Sequence, residues 1–373
     1  MILTYKYKLY KTKRLRKIDE IINIAGAIYN HCIALHKRYY KLYGKYLSKY
    51  QLQKHLTKLK KLPKYKHYRK VPSQAIQDIT DRIDKGFKLF FENKKKKIKT
   101  SPPTFKKLSK YKSYTLKQAG YKIENNIIWL NGYKFKFWLS RPIDGKIKTI
   151  TVKRDNVGDF YICVAIEKEY QKISAASGKI VGIDFGLKTF LTLSDGTKIK
   201  APRHYLNSLK ELKKLQRKLS KKVKTSNKYK KAKRKLAKLH RKVANSRRDF
   251  FHKLANELAK KYRYIVIEDL NLKAMQKLWG KKIIDYAFSE FVSILEYKTN
   301  LIKIDRYYPS TKTCSVCGYV NENITLKERY WICPECKTKH DRDINASINI
   351  CKVGASTFGI DGVRPAIVRQ PSL

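Results

Sequence analysis

The sequence predicts a multidomain α+β protein, and three observations carry that prediction. The chain has 373 residues, enough for two or three domains with cores of their own. Its hydrophobic period changes along the way, from helical spacing over residues 12–93, to strand-like alternation over 105–169, to mixed strands and helices from residue 179. Near the C-terminus four cysteines stand in two CxxC pairs, Cys314/Cys317 and Cys333/Cys336, separated as in a metal ribbon.

Taken in order, Ile2, Leu3, Tyr5, Tyr7 and Leu9 stand among Thr and Lys and predict a first strand within residues 1–10. Ile18, Ile21, Ile22, Ala25, Ile28, Tyr29, Cys32 and Leu35 recur at three and four, the apolar face of a helix. Further helices are expected over 48–62 and 73–91. The lysine run 94–99, with Pro102 and Pro103, reads as a loop. Residues 127–130, Asn131-Gly132 and 133–139 form a hairpin on an Asn-Gly turn. A second hairpin joins 146–154 to 160–166. Over 133–137, alternation puts cations and rings on opposite faces, as a nucleic-acid surface or a half-buried amphipathic strand equally would.

From residue 179 an apolar strand ends in Asp184 and Gly186. Short strands follow at 189–193 and 197–200, then a basic helical hairpin of 206–219 and 229–243 with leucine seams. A separate helix is expected over 247–260, a second apolar strand ending in Glu268, a helix over 283–297, a strand over 301–306, the ribbon, and a last helix over 340–350. The tail 353–373 is expected to be disordered.

The paired CxxC knuckles supply four thiolates and close a tetrahedral Zn²⁺ shell with no open position, so the metal is expected to be structural. Gly318 follows the first pair at a tight turn, and Pro334 sits inside the second. Two disulfides are the alternative, and they fit this spacing less well. Cys32, Cys163 and Cys351 stand alone in apolar surroundings as small core residues.

Lysine and arginine number 87 against 29 acids, a formal net charge of +58. So large a charge self-repels in a free monomer and calls for a polyanionic partner, with nucleic acid first. An AT-rich genome would favour lysine but leaves the scarcity of Asp and Glu unexplained. Residues 1–13 lack a signal-peptide core, and no run of about 18 apolar residues exists, so no membrane partner is expected. Four unbridged thiolates suit a reducing interior.

Against this charge three acids stand out. Asp184 and Glu268 end buried strands, and Asp343 opens a helix. Carboxylates held at a sheet rim can converge on hard divalent ions, and a pair of Mg²⁺ ions roughly 4 Å apart activates water for phosphodiester hydrolysis.

Gly182-Ile183-Asp184-Phe185-Gly186, Ile267-Glu268-Asp269-Leu270-Asn271, the two CxxC pairs and Asp341-Arg342-Asp343-Ile344-Asn345-Ala346 occur in that order. As an ordered set, over about residues 1–352, this resembles the TnpB family, the RNA-guided nucleases of small insertion sequences related to type V CRISPR effectors. The resemblance implies a β-barrel wedge domain (1–10 and 103–172) with an inserted helical recognition lobe (11–102). It implies an RNase H-like (RuvC) nuclease domain (178–306 and 337–352) carrying the basic hairpin 204–245 and interrupted by the zinc ribbon 307–336. It carries the catalytic, Mg²⁺-binding triad onto Asp184, Glu268 and Asp343, and leaves the role of Asp341 open. Ser347 stands where the family usually has a second alanine. The partners implied are a guide RNA from the protein's own element and double-stranded target DNA beside a short flanking motif. The setting implied is the prokaryotic cytoplasm, at the nucleoid. A non-cleaving RNA-guided repressor and a transposase-associated DNA-binding protein are the alternatives; an intact acid triad favours cutting.

Overall fold

A computed structural model describes residues 1–169, 172, 178–186, 188–270, 287–325 and 328–357. The chain divides into two compact units, Met1–Tyr170 and Gln171–Leu373.

In the first unit, β1 (Ile2–Lys8) leads into three helices, α1 (Leu15–Tyr43), α2 (Lys49–Leu59) and α3 (Ser73–Lys95). The predicted face of α1 is buried, from Ile18 to Cys32. Ser48 and Gln51 close a capping box on α2, satisfying backbone donors that have no partner inside the helix. Helix α3 runs to Lys95, two residues into the expected loop, because nothing before Pro102 forbids helical backbone.

The strands follow as β2 (Ser113–Leu116), β3 (Tyr121–Glu124), β4 (Ile127–Leu130), β5 (Tyr133–Lys136), β6 (Lys146–Arg154) and β7 (Phe160–Glu167). They form a four-stranded sheet in the order β1-β7-β6-β2 and a three-stranded sheet β3-β4-β5. The first strand pairs with the last, Ile2 opposite Glu167. Asn131 and Gly132 both take positive φ (51° and 78°), the type I′ geometry that suits the right-handed strand twist. Helices and strands share one core, in which Tyr7, Phe135 and Phe137 meet Ile18 and Ile22. Arg154 locks α1 to β6, donating to Asp19 Oδ1 at 2.6 Å and Asn23 Oδ1 at 2.7 Å.

The second unit is built on a five-stranded sheet of order β10-β9-β8-β11-β12. Its strands are β8 (Ile180–Phe185), β9 (Leu191–Leu193), β10 (Lys198–Ile199), β11 (Tyr264–Glu268) and β12 (Asn300–Ile304). The first three form an antiparallel meander, and β11 and β12 join β8 in parallel. Between β10 and β11 come α4 (His204–Ser220) and α5 (Asn227–Lys261). They pack as the expected hairpin through Leu212, Leu219 and Leu236. The break expected between residues 243 and 247 is absent. Ala244, Asn245 and Ser246 include neither Gly nor Pro, so α5 continues through them.

Helix α6 (Phe288–Lys298) precedes β12; residues 283–286 of the expected helix lie outside the described residues. After the ribbon, a small hairpin of β13 (Tyr330–Ile332) and β14 (Lys339–Asp341) leads into α7 (Arg342–Thr357). His340 is therefore a strand residue, and the helix reaches seven residues beyond the expected 350 into the expected tail, of which 358–373 lie outside the described residues.

Two glycines let α7 lie directly on the sheet. A Cβ on Gly182 would sit 2.1 Å from Ser347 O and 2.5 Å from Cys351 N. A Cβ on Gly354 would sit 2.4 Å from Val266 Cγ1. Ser347 fits this tight seam by donating its hydroxyl to Ile344 O at 2.7 Å. Among the described residues no helix is long and apolar enough to cross a membrane.

Candidate active site and zinc ribbon

Asp184 lies near the C-terminal end of β8 and Glu268 at the end of β11. These strands run parallel with Ile183 opposite Ile267, so the two acids emerge side by side at one edge. Asp343 joins them from the first turn of α7, the helix seated on β8 through Gly182. The three sequence-predicted acids thus meet from segments far apart in the chain.

Their electrostatics register the meeting. Burial, then the carboxylates of Glu268 and Asp343, push the Asp184 carboxyl up to about 8 from its ordinary 3.8, against the opposing pull of Arg342 and Arg329. Burial also raises the Glu268 carboxyl, while a hydrogen bond donated by the Ser310 hydroxyl works against it. The Asp343 carboxylate is gripped by Arg329 Nη1, at 2.8 Å to Oδ2 and 3.0 Å to Oδ1, with Arg342 Nη2 at 3.4 Å. Among the described residues, the three acids are not drawn together within 4.8 Å as the cysteine sulfurs are. The donor set is all carboxylate oxygen, and it fits hard divalent ions.

Several positioning residues were given no role by the sequence. Asp341 caps α7: its Oδ1 accepts from the N–H of Asp343 at 3.1 Å and Ile344 at 3.2 Å, and its Oδ2 binds Lys198 Nζ at 2.6 Å. This gives the residue whose role was open a structural task, holding the helix start that carries Asp343. Ser310 carries Glu268 on its hydroxyl, while its carbonyl accepts from Asn349 Nδ2 at 2.8 Å. Asn345 and Asn349, one turn apart on α7, also donate to Thr313 O at 2.7 and 2.6 Å, fastening the helix to the ribbon. Asn345 lay within the quoted motif and Asn349 just beyond it; only the folded chain shows what they hold.

In the ribbon the Sγ atoms of Cys314, Cys317, Cys333 and Cys336 all lie within 4.8 Å of one another. The Cys314–Cys336 and Cys317–Cys333 separations are both 3.6 Å, close to the ~3.8 Å edge of a tetrahedron with Zn–S bonds of about 2.3 Å. The knuckles share one turn. Gly318 N–H donates to Cys314 O, and Lys337 N–H to Cys333 O, each at 3.0 Å, with Gly318 at φ 83° and Lys337 at φ 59°. The Thr338 hydroxyl helps bring the Cys336 thiol down to about 6, whereas burial lifts Cys314 to about 12. All seven cysteines are free, with no disulfide between the two CxxC pairs. Cys32 and Cys351 are buried, as the sequence predicts, whereas Cys163, expected in the core with them, is only half-buried.

Comparison with known proteins follows the same lines. A family model described as "Probable transposase" (OrfB_IS605) matches residues 161–278. A second, described as "Cas12f1-like, TNB domain", matches residues 288–350. A Streptomyces pristinaespiralis protein described as "Putative RNA-guided DNA endonuclease" is 32% identical, over 97% of this chain and 92% of its own length. A similarly described Escherichia coli K12 protein, InsQ, is 28% identical over 90% and 88%. A cryo-EM structure of a Cas12f1–sgRNA–target DNA complex shares the fold, with a TM-score of 0.58 at 15% identity, covering 91% of this chain and 83% of that one. The family models and these relatives together define a multidomain protein of the transposon-encoded nuclease class. Within that class, the chain belongs to the TnpB family of RNA-guided DNA endonucleases.

Proposed function

We propose that this protein is an RNA-guided endonuclease that cuts both strands of a DNA duplex in a Mg²⁺-dependent hydrolysis. The meeting of Asp184, Glu268 and Asp343 at one sheet edge carries the reading, because it gathers three carboxyl groups, the oxygen ligands a divalent ion takes, on a protein of net charge +58. Two Mg²⁺ ions held by these acids would supply an activated water and a Lewis acid for the leaving oxygen. The chain's own part is to hold the acids ready. Ser310 orients Glu268, Asp341 fixes the helix end that carries Asp343, and Arg329 and Arg342 offer positive charge beside it. On this reading the second unit is an RNase H-like nuclease domain, and its ribbon holds one structural Zn²⁺.

The first unit supplies the strands of a wedge domain and the helices of a recognition lobe. Lys210, Lys213, Lys214, Arg217, Lys218 and Lys221 line one groove along α4 and its C-cap, with Glu211 the one acid beside six cations, a surface suited to tracking phosphates. Base pairing with a guide RNA from the protein's own element would read the target, and the protein itself only a short flanking motif.

The test is purification from cells carrying the element, sequencing of the bound RNA, and incubation with a plasmid bearing the matching site. Cutting that requires both Mg²⁺ and that RNA is the expected result. Cutting at unrelated sites without RNA would defeat the reading.

A further inference from the structure

The sheet β3-β4-β5 has two unlike faces. Cross-strand partners share a face, so Lys122, Trp129 and Lys134 stand together on one, while Ile128 and Phe135 pair on the other. Ile128, Leu130 and Phe135 enter the core. On the outer face the Lys122 and Lys134 ammonium groups lie 5.7 and 5.6 Å from the centroid of the Trp129 ring. Beyond β5 the alternation continues: Phe137 is fully buried, and Trp138 turns outward at 59% exposure.

Trp138 stacks on Tyr10, with ring centroids 4.8 Å apart and planes 16° from parallel. Tyr10 is itself 38% exposed. The pair does not hang on a loose loop. Trp138 N–H donates to Lys8 O and Tyr10 N–H to Lys136 O, each at 2.9 Å, and Leu9 bridges Phe137 between them. A large indole is therefore held rigid and open to water at the edge of a lysine-bearing sheet. Glu124 lies on the same face, and Lys122 pairs with it. Among the described residues no acid forms an ion pair with Lys134 or Lys136.

We propose that Trp138 and Tyr10 form a stacking platform for unpaired bases of single-stranded RNA, with Lys134 and Lys136 taking the adjoining phosphates. The proposal rests on the guide-RNA reading above. The cationic face selects a polyanion over an apolar or basic protein partner. An exposed, fixed ring offers every base a π-face. Bases of duplex DNA are already stacked inside the helix, whereas loops and ends of a folded RNA present bases free to stack on aromatic side chains.

The test is fluorescence anisotropy of the full chain with a labelled uridine homopolymer of about 12 nucleotides, beside an abasic ribose-phosphate chain of the same length. Stacking on an aromatic ring is worth about tenfold in affinity per base, so the wild type should prefer uridine by about that factor. Trp138→Ala should reduce uridine binding to the abasic level, and Trp138→Phe should keep most of the preference. A preference unchanged in Trp138→Ala, or absent from the wild type, overturns the platform. A thymidine DNA homopolymer that loses more affinity than uridine on Trp138→Ala overturns the RNA assignment. No arm involves cutting, so the platform can fail while the nuclease reading stands, and the reverse.

Discussion

Arg329 grips the Asp343 carboxylate with one guanidinium nitrogen, at 2.8 Å and 3.0 Å to its two oxygens. The arginine belongs to the ribbon hairpin and the acid to the first turn of α7, so the contact joins the zinc module to the acid cluster. An arginine so placed neutralises Asp343 and competes for the oxygens a metal would take. Arg329→Ala should therefore tighten divalent-ion binding by about tenfold, the scale of a charge-assisted hydrogen bond. Electron paramagnetic resonance of bound Mn²⁺ measures this directly. Unchanged or weaker Mn²⁺ binding would show that Arg329 does not compete for the metal.

Asp184→Ala, Glu268→Ala and Asp343→Ala should each abolish cutting and leave guide and target binding near the wild-type level. Binding would come from the basic helices and base pairing, while chemistry needs every carboxylate. A lost metal ligand raises the barrier by several kcal/mol, about a thousandfold or more in rate. Cleavage and binding assays run side by side decide it. If Asp343→Ala cuts normally and Asp341→Ala does not, the third acid is misassigned.

Stability should fall with rising pH when no divalent ion is bound. Burial, then the Glu268 and Asp343 carboxylates, raise Asp184 from 3.8 to about 8. Between those values the folded protein keeps a proton that the unfolded chain has released. This contribution is complete below about pH 4 and is lost as pH climbs through about 8. In magnesium-free buffer at about pH 8, Asp184→Asn should melt clearly above the wild type. At about pH 5 the gap should shrink. Equal melting curves at both pH values would contradict the electrostatic account.

His340 Nε2 lies 3.0 Å from Cys314 Sγ, and its ring packs on Trp331 with centroids 4.6 Å apart. A donor to a metal-bound thiolate stabilises its charge, so His340→Ala should weaken zinc retention by about tenfold to a hundredfold. Competition against a zinc-indicator dye is the measurement. Cys314→Ser should go further and unfold the ribbon, because structural zinc binding is folding energy. Native protein with two disulfides and no zinc would refute both.

Gly182→Ala should cost about 3 kcal/mol or more of stability, since the new methyl group would meet the backbone of α7 rather than a flexible side-chain end. Asp343 rides on that helix, so cutting should fall as well. Urea unfolding reports the first effect. A variant with wild-type stability would mean that α7 can shift outward freely.

The strand-end and helix-start positions of the three acids, the four-cysteine cluster, the Asn131-Gly132 turn and the buried face of α1 were legible in the sequence. Each depends on spacing within a few residues or on the character of its own strand or helix, which local chemistry sets. Tertiary structure alone decided the rest. The run from Tyr229 to Lys261 reads as two helices because its apolar pattern lapses, yet hydrogen bonding carries one helix through the lapse. His340 reads as helical until pairing with Trp331 draws it into a strand. Arg329 and Ser310 carry no motif, and they matter only because folding brings them to Asp343 and Glu268. Periodicity reports which face of a segment is buried. It cannot report which partner buries it, because that contact is made between residues far apart in the chain.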